Sequence, residues 1–215
     1  MTIRNSVKTI LCFGDSNTWG ANPKNGSRYP RNIRWPSALQ KSLGKNYEVI
    51  SEGLCGRTLV VTDPAKPHRT GITHLRAFLD SNDPLDLVVI MLGTNDIKSM
   101  YGLNAKDIAR DLEQTIRLIR DKKIGLQKQP AILIVCPPSP TNPKSGHIDP
   151  RMARWPKIFS VLPSLYEKMA KKYRCAYIKA GDYISSSAID GYHLDPKSHL
   201  ILARTIAEKI RKMRL

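Results

Sequence analysis

The chain has 215 residues, 41% apolar and 25% charged, the balance of a globular domain long enough for one sizeable core, so residues 1–215 are expected to form a single domain. No apolar run approaches the roughly 20 residues of a membrane span, and Met1–Ser6 lacks the apolar stretch of a secretory leader; a cytoplasmic protein without membrane contact is expected. The net charge of +17 invites nucleic acid or another polyanion, but the basic residues interleave with apolar positions, as at Arg110, Arg117, Arg120 and Lys168, Lys171, Lys172, so solvated helix faces are expected rather than a nucleic-acid surface.

The first strand is expected over residues 7–13, apolar on both faces and so inside a parallel sheet. It runs into Gly14-Asp15-Ser16-Asn17, a sharp turn that presents a hydroxyl. The same residues suit an ordinary helix cap, and this stretch alone does not separate the two. A loop follows, then a helix over 35–43 with Trp35, Ala38, Leu39 and Leu43 on one face, ended by Gly44. The second strand is expected over 47–51. It opens into Gly53-Leu54-Cys55-Gly56-Arg57-Thr58, and an irregular stretch covers 60–69. A short helix over 70–79 precedes the strongest strand, 85–92, which ends at Gly93-Thr94-Asn95-Asp96.

Asn104, with Asp107 three residues on, caps a long helix whose stripe is Ile108, Leu112, Thr115, Ile116 and Ile119. The strand over 131–136 stops at Pro137-Pro138, and a loop covers 139–151. A helix beginning at 152 or 156 runs to 172, kinked or broken at Pro163. The last strand is 175–178. Asp195-Pro196 starts the final helix, with Leu200, Ala203, Ala207 and Ile210 facing inward. Cys12, Cys55, Cys136 and Cys175 lie far apart with no C-x-x-C pair, so free thiols are expected and zinc is not.

Strands alternating with helices predict an α/β fold, one five-stranded parallel sheet covered on both faces. Ligands in such folds bind beyond the carboxyl ends of the strands, where the glycine-bearing loops at Gly14, Gly53–Gly56 and Gly93 would meet. Those loops carry the parts of a serine hydrolase. Ser16 is the candidate nucleophile. Of five histidines, His193 in Asp190-Gly191-Tyr192-His193 has an acid three residues ahead that can hold its ring. His147, with Asp149 beside it, is the nearest rival; His199 falls on the final helix as a packed or solvated residue; His68 and His74 have no such loop partner. The Ser16 amide, the Gly56 amide and the Asn95 side chain can donate to an oxyanion. Asn95 is equally suited to capping its own turn.

Taken together, Gly14-Asp15-Ser16-Asn17, Gly56, Gly93-Thr94-Asn95-Asp96 and Asp190-Gly191-Tyr192-His193 resemble the SGNH (GDSL-type) hydrolase family, in the family's order and across nearly the whole chain. The resemblance implies a flavodoxin-like three-layer α/β/α fold, a Ser16–His193–Asp190 triad, and Ser16, Gly56 and Asn95 as the oxyanion hole. It is nearest the family's arylesterase members, although Asn17 stands where those have leucine and Gly56 where they have alanine. It implies a small-molecule ester substrate, acyl transfer to alcohols beside hydrolysis, a homo-oligomer, and no metal or cofactor. Asp15, Asn17, Trp19, Cys55 and Pro137 are expected to line the substrate pocket. The rival readings are a carbohydrate O-acetyl esterase, a lysophospholipase or a thioesterase, and, outside enzymology, a basic polyanion-binding domain.

Overall fold

The computed structural model describes residues 7–122, 125–213 and 215; Met1–Ser6, on which the leader expectation rests, lie outside them. The strands are β1 (Lys8–Gly14), β2 (Tyr47–Gly53), β3 (Leu87–Met91), β4 (Ala131–Cys136) and β5 (Ala176–Lys179). The helices are α1 (Ser16–Trp19), α2 (Trp35–Leu43), α3 (Gly71–Ser81), α4 (Ala105–Ile119), α5 (Trp155–Phe159), α6 (Leu162–Lys172) and α7 (Pro196–Met213). All pairings are parallel, in the order β2-β1-β3-β4-β5. Among the described residues no helix is long and apolar enough to cross a membrane.

Period-two alternation sends each interior strand's side chains to both faces. Leu11, Phe13, Val88, Ile90, Ile132 and Ile134 pack under α3, α4 and α6. Ile10, Cys12, Leu87, Val89, Leu133 and Val135 pack under α2 and α7. The expected capping box of α4 is present: Asn104 Oδ1 accepts from the amides of Lys106 and Asp107, and Asp107 accepts from the Asn104 amide. Its stripe of Ile108, Leu112, Thr115, Ile116 and Ile119 is buried.

Two expectations need correction. The helix predicted up to residue 172 is two helices, and the break falls at Ser160–Val161 rather than at Pro163. Pro163 lies in the first turn of α6, where a missing N–H costs nothing. On α7 the buried stripe is His199, Leu202, Ala203, Ile206, Ala207 and Ile210; Leu200 sits at its margin, 40% exposed.

The register aligns the strand ends that matter. Gly14 is level with Gly53 on one side and Met91 on the other. The loops bearing Ser16, Gly56 and Asn95 therefore leave from one row. β1 and β3 also flank the point where the strand order reverses, the crevice in which open α/β sheets bind ligands. Gly93, at the exit of β3, has φ +120°, a conformation that side chains resist, and a Cβ there would lie 2.5 Å from the Tyr166 hydroxyl. That hydroxyl donates to the Leu92 carbonyl at 3.2 Å, so α6 fixes the turn into Thr94-Asn95.

His199 shows how α7 is held. It is fully buried, its Nδ1 accepts from the Trp35 amide at 3.4 Å, and its ring meets Tyr29 edge-on. Burial, reinforced by the charge of His193 and partly offset by Asp195, pulls its pKa down to about 4. Below the unfolded value of about 6.5 the unfolded chain takes a proton that the native state refuses, so this contribution is complete above that pH and is lost as pH falls toward 4. Asp15 and Asp96, raised by burial to about 6 and about 7, act with the opposite sign. The comparison with His199→Gln isolates the histidine. Between pH 7.5 and pH 5, denaturant unfolding of the wild type should lose about 2 kcal/mol more than the variant does. Equal pH slopes would refute the assignment.

Candidate active site

Ser16 is the first residue of α1, a single turn closed by Gly20 in the left-handed conformation. Asp15 caps it, accepting from the Asn17 amide at 2.9 Å. The capping reading of this turn is met by Asp15, which leaves the adjacent Ser16 hydroxyl free of that task. Ser16 is 9% exposed, and its amide donates to no group among the described residues.

His193 reaches Ser16 from the opposite end of the sequence. Its Nε2 lies 3.0 Å from Ser16 Oγ, and its Nδ1 lies 2.5 Å from Asp190 Oδ2. The other carboxylate oxygen, Asp190 Oδ1, accepts from the amides of Tyr192 and His193 at 3.2 and 3.1 Å. Asp190 thus shapes its own loop while facing the ring. Both side chains are about one-sixth exposed.

The loops after β2 and β3 are tied to this turn. Asn95 Nδ2 donates to the Arg57 carbonyl at 3.1 Å and makes a long contact of 3.4 Å to Asp15 Oδ2. Gly56, at φ +83°, precedes Arg57, and its amide is also without a partner among the described residues.

Beneath the site lies a buried ionic layer. Arg57 is 3% exposed; its Nη1 donates to the carbonyls of Gly14, at 2.9 Å, and Glu52. Its guanidinium stacks on Phe13 at 4.2 Å. Burial lowers its pKa to about 10, opposed by Glu52 and Asp15, so it stays charged at neutral pH. Asp15 is raised to about 6 by burial, against the Asn17 amide and the charges of His193, Lys98 and Arg57. Asp96, fully buried, accepts from the Leu59 amide and is raised to about 7 by burial.

Of the residues expected to line a pocket, Asn17 and Asp15 turn inward. Asn17 is 2% exposed; its Nδ2 donates to the Tyr192 carbonyl at 3.1 Å and its Oδ1 accepts from the Leu194 amide at 3.0 Å. It brackets His193 by the backbone on either side. Trp19 and Cys55 are half-buried, with Arg28 over the Trp19 ring, and Pro137 is buried. The rival histidines are elsewhere engaged or placed. His147 and His68 are exposed, and Asp149 pairs with Arg151 at 2.7 Å. His74 is half-buried on α3. A cleft of about 770 Å³ lies between α6, β5 and α7 and contains none of the Ser16, His193 or Asp190 side chains. Among the described residues no group of three or more His, Cys, Asp or Glu side chains is arranged to hold a metal ion.

Arg57 and the bracketing role of Asn17 were not readable beforehand. Arg57 is one of 35 basic residues, and nothing in Gly56-Arg57-Thr58 marks it as buried. The signal for Asn17 was its amide, which can answer a carbonyl and an N–H at once.

The chain is 26% identical to the acetylxylan esterase of Xylanibacter ruminicola (strain ATCC 19189) over 221 aligned residues, covering 94% of this chain and 43% of that relative; the chain thus spans less than half of the relative's length. Among solved structures it is similar to the M. smegmatis aryl esterase, with TM-score 0.89, 32% identity, and 95% and 99% of the two chains covered. It is equally similar to Est24, a carbohydrate acetylesterase from Sinorhizobium meliloti, with TM-score 0.89, 35% identity, and 96% and 99% covered. The pattern of the GDSL-like Lipase/Acylhydrolase family matches residues 12–201, and the chain belongs to that family.

Proposed function

We propose that this chain, a carboxylic ester hydrolase by family, cleaves small acyl esters through a covalent acyl-enzyme on Ser16. The observation that carries the reading is the relay Ser16 Oγ–His193 Nε2–Asp190, at 3.0 and 2.5 Å. His193 Nε2 takes the hydroxyl proton as Oγ bonds to the ester carbonyl carbon. Asp190 holds the ring by Nδ1 and stabilises the imidazolium. The oxyanion meets the partnerless amides of Ser16 and Gly56. Asn95 joins them by exchanging its long contact to Asp15 for the oxyanion, while its bond to the Arg57 carbonyl keeps it in place. His193 then returns the proton to the leaving alcohol. Water, or a second alcohol in acyl transfer, attacks the acyl-enzyme by the same path and frees Ser16.

The relatives named for acetyl esters favour acetyl as the acyl group. Asn17 acts as a positioning residue. Among the described residues it hydrogen-bonds neither Ser16 Oγ nor the imidazole, but it bonds the backbone on both sides of His193.

With p-nitrophenyl acetate as substrate, Ser16→Ala should lower kcat/KM by at least about 10⁴-fold while the protein stays folded. A small fluorophosphonate should add once, on Ser16, and fail to add to His193→Ala. Labelling at another residue, or activity surviving Ser16→Ala, would refute the reading. Asn95→Ala should cost on the order of 10²–10³ in kcat. Asn17→Ala should lower kcat by about 10–100-fold with little change in KM, since a base displaced by about 1 Å loses alignment. In the His193→Ala background the same substitution should cost nothing further. A loss of stability with unchanged kcat would reduce Asn17 to a structural part.

A further inference from the structure

Two cations beside the oxyanion donors, Arg69 and Lys98, have side chains that make no hydrogen bond or ion pair among the described residues. Arg69 packs directly on Gly56: a Cβ built there would lie 2.7 Å from Arg69 Nη1 and 3.1 Å from its Cδ. Arg69 is half-buried, its Nε is fully shielded without a partner, and its guanidinium makes no hydrogen bond or ion pair among the described residues. Its position comes from backbone pairing, since its carbonyl accepts from the Thr58 amide at 3.1 Å.

Lys98 is the second cation. It lies three residues beyond Asn95, its amide donating to the Asn95 carbonyl at 3.2 Å. It too is half-buried, and its ammonium has no hydrogen bond or ion pair among the described residues. Burial and then the charges of Arg151 and Arg69 hold its pKa below the ordinary lysine value, so these side chains share one field. Arg151 is already paired with Asp149. Asp15 and Asp96, which also act on Lys98, are buried at 1% and 0% exposure, the charge of Arg57 acts on Asp15, and Asp149 feels Lys98 as well. Gathering partly desolvated like charges is unfavourable unless a counter-charge arrives. Asp15, Asp96 and Asp149 answer Lys98 in part, whereas Arg69 has no ion pair among the described residues and is left for an incoming anion.

Resting on the hydrolase reading above, we infer that the preferred substrate is an anionic ester, one bearing a carboxylate that Arg69 and Lys98 receive beside the oxyanion hole. Arg69 offers a planar fork suited to a carboxylate, and Lys98 a point charge. Neither side chain touches the reacting atoms; both act on substrate choice. The carboxylate can sit on the acyl side or on the alcohol side of the ester bond, and two probes distinguish these.

The experiment uses the full chain and two matched pairs of esters. Mono-p-nitrophenyl succinate is compared with its methyl ester, and 4-acetoxybenzoate with methyl 4-acetoxybenzoate. In one pair the anionic ester should show a kcat/KM at least about tenfold above its neutral partner, and that ratio should shrink as salt is raised from 0.05 to 0.5 M. Arg69→Gln and Lys98→Gln should each lower the ratio about tenfold, and Arg69→Lys should recover part of it. Equal rates within both pairs, or a preference untouched by both Gln variants, would overturn the inference and leave the hydrolase reading standing. No turnover of any of the four, neutral esters included, would overturn both.

Discussion

One buried guanidinium joins the loops on which the site depends. Where parallel strands end, their last carbonyls lose the neighbouring strand's amides and need other donors. Arg57 donates to Gly14 at the end of β1, whose carbonyl also accepts from the Leu54 amide at 3.1 Å, and to Glu52 near the end of β2. Its own carbonyl receives Asn95 from the loop after β3. Three strand ends are thus fixed to one residue. The flat, weakly hydrated guanidinium tolerates the apolar faces of Phe13 and Phe78, at 4.2 and 5.7 Å, where an ammonium would suffer a larger desolvation cost. Both bonds come from one nitrogen, Nη1, whose two N–H donors are fixed in the guanidinium plane.

The same cation is one of several groups that act on Asp15. A carboxylate at 1% exposure would ordinarily be far too costly to ionise. The Asn17 amide and the charges of His193, Lys98 and Arg57 offset that burial and hold it to about 6. Two aspartates near Ser16 therefore have separate work. Asp15 caps the serine's turn and faces Asn95, whereas Asp190 faces the imidazole. Position in the chain does not separate them; the partners of each oxygen do.

The strands and most helix starts were legible because their signals are local. Ala131–Cys136 is a bare apolar run between prolines, and Asn104 with Asp107 is a cap written in four residues. The proximity of Ser16 and His193 was legible through the order of glycine-bearing strand ends, a topological argument that needs no distances. What escaped notice depends on contacts between remote segments. The inward turn of Asn17 is set by the 192–194 backbone, some 175 positions away. Leu200 escaped for a different reason: residues 200, 203, 207 and 210 satisfy helical spacing, and so does the neighbouring set that the fold chose. Periodicity selects a stripe to within one position, and packing against α2 selects the member.

How the histidine loop is anchored bears on what the site can do. The Tyr192 carbonyl and Leu194 amide go to Asn17, the His193 carbonyl accepts from the Ser187 amide at 2.7 Å, and the Tyr192 and His193 amides go to Asp190 Oδ1. Each of these bonds falls on the backbone. The loop is held without drawing on the imidazole, so both ring nitrogens remain for Ser16 and Asp190. The Tyr192 ring also packs on the imidazole, with centroids 4.6 Å apart, so polar and aromatic contacts together hold the base. The cations at Gly56 and Asn95 can then act on whatever enters, because nothing in the anchoring of His193 uses them.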